Sequence, residues 1–255
     1  MHAASGAFPI LAKQPITNSF PPLGPNLKVL LVWPKFPPSF WGFEGVLEML
    51  PEAAMTPPLG LVTVAALCPP TWSLRLLDHA FDEIRDGDIA ACDLVMVSAM
   101  HAQRHDAVAV LRQARRLGVR TFIGGPWASS DPAATQLEAD HVMVGEAEEV
   151  FADIARELEQ GTAQALYRVT DKPDMSHSPI PRFDLLRREM YTSMPVQFSR
   201  GCPFQCEFCD AAEGAWSNGI DGSPAGIGCS QCADIRSGRN DSRFAGKPAL
   251  HGTAA

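Results

Sequence analysis

Cys202, Cys206 and Cys209 fall in the string VQFSRGCPFQCEFCD, a C-x3-C-x2-C run. Three thiolates within eight residues can hold three corners of a cubane iron–sulfur cluster, because Cys thiolates are the usual ligands of such clusters. Three ligands for four irons leave one iron open to a small molecule that brings its own donor atoms. A second pair, Cys229-x2-Cys232, follows after nineteen residues, and with Cys206 and Cys209 it has the spacing of a four-cysteine zinc site. The zinc reading gives Cys202 no role. Cys68 and Cys92 lie on apolar helical segments and read as core thiols. His101 and His105 stand at i, i+4 with no third ligand near them in sequence, the pattern of a solvated helix face.

The elements that must position these residues can be read from apolar patterning. Val29 to Trp33 is a short, continuous apolar run, as expected of a strand buried on both faces. The patterns predict further strands at Leu74 to Leu77, Leu94 to Val97, Val119 to Ile123 and His141 to Val144. Helices are predicted from Pro58 to Cys68, near Ile89, from His105 to Leu117 with Gly118 as its cap, and from Glu146 to Glu159, stopped by Gly161. Five strands separated by helices predict an α/β fold with an open parallel sheet, a Rossmann or flavodoxin-like domain of order 2-1-3-4-5. Ligands of such sheets bind beyond the carboxyl ends of the strands, at the switch point beside strands one and three. Unusual loops stand there: Pro34 to Gly42, Ser98-Ala99-Met100, Gly124-Gly125-Pro126 and Gly145-Glu146.

Composition narrows the class. Hydrophobic residues make up 46% of the 255, enough for a sizeable core. A net charge of −8 argues against a nucleic-acid surface, which would be basic. The longest apolar stretch, Leu59 to Cys68, is about half the ~20 residues of a bilayer span, so no membrane span is expected. No secretory signal opens the chain, and seven cysteines with three clustered do not read as a disulfide framework. A cytoplasmic, reducing setting is the expectation.

With Phe208 before its last Cys, the cysteine run resembles the radical S-adenosylmethionine (SAM) superfamily. That resemblance implies a 4Fe-4S cluster on Cys202, Cys206 and Cys209, with SAM bound at the open iron and cleaved reductively to a 5′-deoxyadenosyl radical. It also implies a reductant partner such as a ferredoxin or flavodoxin. The strand-end loops are similar to those of the cobalamin-binding domain of methionine synthase and its relatives. Ser98-Ala99-Met100 matches that family's S-x-L with a conservative change, and Gly124-Gly125 matches its G-G. The remaining signature, D-x-H-x-x-G after the first strand, is missing, because WPKFPPSFWG has neither Asp nor His; the resemblance therefore implies cobalamin without His ligation from that loop. Asp78-His79 follows the second strand, the wrong place for that signature. The segment SPIPRFDLL resembles the inter-domain segment of cobalamin-binding radical SAM proteins, the hopanoid methylase group among them. The likeness runs from residue 28 to 210.

The expected organisation is a flexible lead-in at 1–26, a cobalamin-binding domain at 27–160 and a linker at 161–193. Residues 194–210 would be the first strand and cluster loop of a radical SAM (β/α) barrel. Only 46 residues follow Cys209, whereas a barrel unit takes about 30, so the barrel is expected to be incomplete. Residues 211–255 are rich in Gly, Ala and Ser and read as a disordered tail, in the manner of an out-of-frame or shortened end. By this resemblance the chain is a cobalamin-dependent radical SAM methyltransferase acting on an unidentified small molecule. The cobalamin contacts would come from Ser98, Met100, Gly124, Gly125, Gly145 and Glu146. The alternative is a non-catalytic corrinoid- or nucleotide-binding module with a four-cysteine zinc site.

Overall fold

The computed structural model describes residues 20–39, 42–170 and 173–197, and of Glu44 only the backbone. The three cluster cysteines, Cys229, Cys232 and the whole tail lie outside the described residues.

Six parallel strands form one sheet: β1 (Lys28–Trp33), β2 (Ser73–Asp78), β3 (Leu94–Ser98), β4 (Arg120–Gly124), β5 (His141–Val144) and β6 (Leu166–Arg168). Their order is β2-β1-β3-β4-β5-β6. The expected 2-1-3-4-5 order is present, but the expected five strands are six. The extra strand falls in the segment read as linker. Leu166–Arg168 has no fully buried side chain and only three residues, so it carries no periodicity of its own. Pairing with Val142, Met143 and Val144 is what makes it a strand.

Strand residues alternate between two apolar layers. Leu30, Val32, Val95, Val97, Ile123 and Val142 face α3 (Asp86–Ala90), α4 (Arg104–Arg116) and α5 (Pro126–Ser130), which follow α1 (Glu44–Leu47) and α2 (Leu59–Leu67) in the chain. Val29, Leu31, Leu94, Met96, Phe122 and Met143 face α2 and α7 (Phe151–Gln160), α6 (Pro132–Gln136) lying between α5 and β5 in sequence. Both faces are covered, which is why the central strands read as unbroken apolar runs rather than alternating ones.

The helices show the reverse pattern. α4 buries Ala107, Val110, Leu111 and Ala114, and α7 buries Phe151, Ile154, Ala155 and Leu158. Both sets follow the i, i+3, i+4, i+7 spacing of a single face. α7 starts at Phe151, five residues later than the sequence pattern predicts, because Gly145 at φ +92° and a turn over 148–150 bring the chain round from β5 first. α2, LGLVTVAAL, is apolar all round because it is covered twice. Leu61 and Ala65 pack on the sheet, while Val62 packs against Leu186 and Tyr191 of the segment that follows β6. α5 and α6, of five residues each, are too short for periodicity to reveal. Each begins with a proline, and the Asp131 carboxylate caps α6 by accepting the Ala134 N–H at 3.0 Å. Among the described residues no helix is long and apolar enough to cross a membrane.

Candidate functional site

The carboxyl ends of the strands all point to one edge, and loops after β3 and β4 meet there. Ser98 is the register partner of Gly124, and the Ala99 N–H donates to the Gly124 carbonyl at 3.4 Å. Gly125 has φ +88° and ψ −173°, a conformation essentially reserved for glycine. A Cβ on it would stand 2.6 Å from Ser98 Oγ and 3.2 Å from the Ala99 nitrogen. The Trp127 N–H then closes the contact on the Ala99 carbonyl at 2.9 Å. Two signature fragments that are separate in the sequence are thus in contact in space.

The two glycines are not equivalent. At Gly124 nothing lies closer to a built Cβ than the Met143 Cβ, at 4.0 Å. Gly125 is a packing requirement; Gly124 leaves open space. The Ser98 hydroxyl makes no hydrogen bond among the described residues. Met100 is half exposed, and its N–H donates to Gln103 Oε1 at 2.8 Å.

Gly145 and Glu146 stand elsewhere along the same edge. A Cβ on Gly145 would collide with the Val169 carbonyl, just beyond β6, and its N–H donates to Ser129 Oγ at 3.1 Å. Its glycine identity therefore answers to the sixth strand. Glu146 is half-buried.

On the other side of β3 the switch point is stitched across. Gln103 is buried, and its Nε2 donates to the Pro34 carbonyl beyond β1. The Lys35 N–H donates to Asp106 Oδ2 at 2.8 Å, and the same oxygen lies 2.7 Å from His79 Nδ1. The His79 N–H in turn donates to the Trp33 carbonyl at 2.9 Å. His79 is separated from β1 by a whole crossover in sequence, yet it stands beside that strand's end because β2 pairs with β1. Chain order conceals this neighbour, since a search of the loop after β1 alone does not reach it. A cavity of about 300 Å³ opens here, lined by Lys35, Phe36, Ala102, His105 and Asp106 among others. His105 thus faces a cavity, while His101 is exposed in the turn before α4.

The edge is apolar as well as open. Phe36, Phe43, Val46, Met49 and Leu50 after β1, and Met100 after β3, are all exposed, Met49 at 84%. A strap completes it. After β6, Ser178 donates to Glu148 at 3.2 Å, the Arg182 N–H to the Val62 carbonyl at 2.9 Å, and Tyr191 Oη to Asp78 Oδ2 at 2.9 Å. Ala54 forms a parallel bridge with Tyr191 just ahead of α2. Burial pushes the Asp78 carboxyl above its ordinary range, opposed by the hydrogen bonds from Ala80 and Tyr191. The Cys68 thiol is pushed up to about 12 by burial and donates to the Val64 carbonyl, so it is an inert thiol. Cys92 is half-buried and also raised by burial. No group of three His, Cys, Asp or Glu side chains that could hold a metal ion occurs among the described residues.

A broad, flat ligand with an apolar rim and a polar appendage is what such an edge can seat. Residues 53–155 match the B12 binding domain. The chain is 40% identical over 185 residues to an uncharacterized methyltransferase of Synechocystis, covering 72% of this chain and 34% of that protein. It is 32% identical over 188 residues to the hopanoid C-2 methylase of Rhodopseudomonas palustris, covering 72% of this chain and 36% of the methylase. With the bacteriochlorophyllide d C-12(1)-methyltransferase of Chlorobaculum tepidum it shares 25% identity over 189 residues, 71% of this chain and 39% of the enzyme. The chain spans about a third of the length of the curated relatives it matches. Over about 72% of its length the chain is thus related to proteins named as methyltransferases and methylases, and residues 53–155 form a B12-binding domain.

Proposed function

We propose that this chain is the cofactor-holding part of a cobalamin-dependent methylase, with cobalamin seated on the carboxyl edge of the sheet. The contact between Ser98 and Gly125, at the edge where Gly124 leaves open space, carries the reading. The residues present fit the group. Open space at Gly124 admits a large ligand, the Ser98 hydroxyl can bond a polar tail, and the exposed Met100 and Phe36 offer apolar surface to a macrocycle. When bound, cobalamin supplies a transferable methyl group. The chain's own work is to hold the ligand, orient it, and keep water off its face. Glu146 lies on the same edge as a further contact, whereas Gly145 serves β6.

Cys202, Cys206 and Cys209 would hold an iron–sulfur cluster that binds SAM, the second half of the chemistry, fed by a reductant protein and directed at a small molecule. On this reading the corrinoid domain and its strap run to residue 193 and the cluster-bearing domain begins at 194. Hydroxocobalamin added to the full chain should co-elute with it in gel filtration. Gly124→Val should abolish that binding while leaving the melting temperature within a few degrees, since a strand end accepts a β-branched residue. A parent chain that retains no corrinoid would sink the proposal. After anaerobic reconstitution, iron and sulfide should be retained by the parent and lost in Cys202→Ala.

A further inference from the structure

We propose that His79 is the protein's nitrogen ligand to the cobalt of the corrinoid, an inference that rests on the cobalamin reading above. The imidazole is set as a ligand is set. Asp106 Oδ2 stands 2.7 Å from Nδ1, so the carboxylate accepts a hydrogen bond from Nδ1–H and leaves Nε2 with its lone pair free to coordinate. Nε2 has no hydrogen-bond partner among the described residues, and about a quarter of the side chain is exposed. The ring's position is fixed twice more. The backbone N–H of His79 is tied to the Trp33 carbonyl, and the carboxylate that holds the ring also holds the Lys35 N–H, so ring and β1 loop form one unit at the switch point.

The donor set decides which metal. No cluster of three His, Cys, Asp or Glu side chains exists among the described residues, so a bare ion would find too few ligands. A metal already held by a macrocycle has its equatorial positions filled and needs one axial donor, which a single anchored imidazole can give. His101 and His105 are also near this edge, but neither ring is held by a carboxylate among the described residues. The loop after β1 contains no histidine, so β2 supplies from the neighbouring strand what β1 lacks.

The test reads the cobalt directly. The full chain is grown with ¹⁵N-histidine, loaded with cobalamin of natural isotopic composition and reduced to Co(II) for electron paramagnetic resonance. Ligation by a protein histidine splits each cobalt line into a doublet; the cofactor's own ¹⁴N base gives a triplet. We expect the doublet, its loss in His79→Ala, and a roughly 10- to 100-fold weaker cobalamin affinity in Asp106→Asn, the usual range for removing a ligand's carboxylate partner. His79→Gln, which can keep a hydrogen bond to Asp106, controls for folding: it should melt like the parent and still lose the doublet. A triplet, unsplit lines, or a doublet that survives His79→Ala overturns the proposal while leaving the cobalamin reading intact. Absence of bound cobalt overturns both.

Discussion

The two edges of the sheet are built from the same strands and finished in opposite ways. At the amino edge, polar side chains close the strand starts. Asp93 accepts the Lys28 N–H at 2.7 Å, and Asp140 accepts both the N–H and the hydroxyl of Thr121 at 2.9 Å. Arg120 and His141, the first residues of β4 and β5, are nearly fully buried. Both lie against the Phe20 ring, the guanidinium 4.3 Å and the imidazole 5.3 Å from its centre. Arg120 donates to the Pro21 carbonyl, and α7's capping Gly161 leaves no room for a Cβ beside Phe20 and Pro22. The carboxyl edge instead presents six exposed large apolar side chains, an open Gly124 and an anchored His79. Sealing stabilises the amino edge, whereas the carboxyl edge keeps apolar surface in water, which is costly unless something covers it. Of the two, the open carboxyl edge is the end at which parallel α/β sheets generally take their ligands.

Removing the strap tests this contrast most severely. A chain ending at residue 160 loses β6, Leu186 and Tyr191, baring β5 and the outer face of α2. It should lose cooperative thermal unfolding, while a chain ending at 197 keeps it. Equal melts for the two would mean that the carboxyl edge stands without its strap. Next in size is Gly125→Ala. Backbone strain of about 1–3 kcal/mol, with the clash against Ser98 added, should lower the melting temperature clearly, whereas Gly124→Ala should melt like the parent. If both behave alike, the division of labour between the glycines is wrong.

The smallest effect belongs to the amino edge. Burial holds His141 below its ordinary value of 6.5, partly opposed by the hydrogen bond it donates to the Gln164 carbonyl at 2.7 Å. The folded state therefore binds this proton less readily than the unfolded chain. Its contribution is fully present above about pH 6.5 and is lost as pH falls through the folded value. Stability measured by denaturant between pH 7 and pH 5 should decline less steeply in His141→Asn than in the parent. An identical decline would show that His141 is not the group responsible.

How far the sequence can be read depends on where each signal is stored. The central strands and α4 are legible because burial on two faces, or on one, writes itself into periodicity. Gly118 and Gly161 mark helix ends through their positive φ. β6 is not legible, since its strand character comes from a partner more than twenty residues away, and five-residue helices complete too few turns to show a face. At the site, Ser98, Gly124 and Gly125 can be picked out by type and position. Their different roles cannot, because a glycine that clashes and a glycine that leaves room are the same letter. His79 is hidden by topology: chain order sets it a crossover away from β1, and sheet order sets it alongside.

The Tyr191–Asp78 hydrogen bond joins residues 113 positions apart, and Thr192 reaches back to the Met55 carbonyl over 137. A ribosome adding about 5–20 residues per second therefore makes Asp78 on the order of ten seconds before its phenol partner exists. For that interval the nascent carboxyl edge has its strands but not its strap. The order of translation thus leaves the carboxyl edge unobstructed early, and the strap residues up to Thr192, made later, then fasten it.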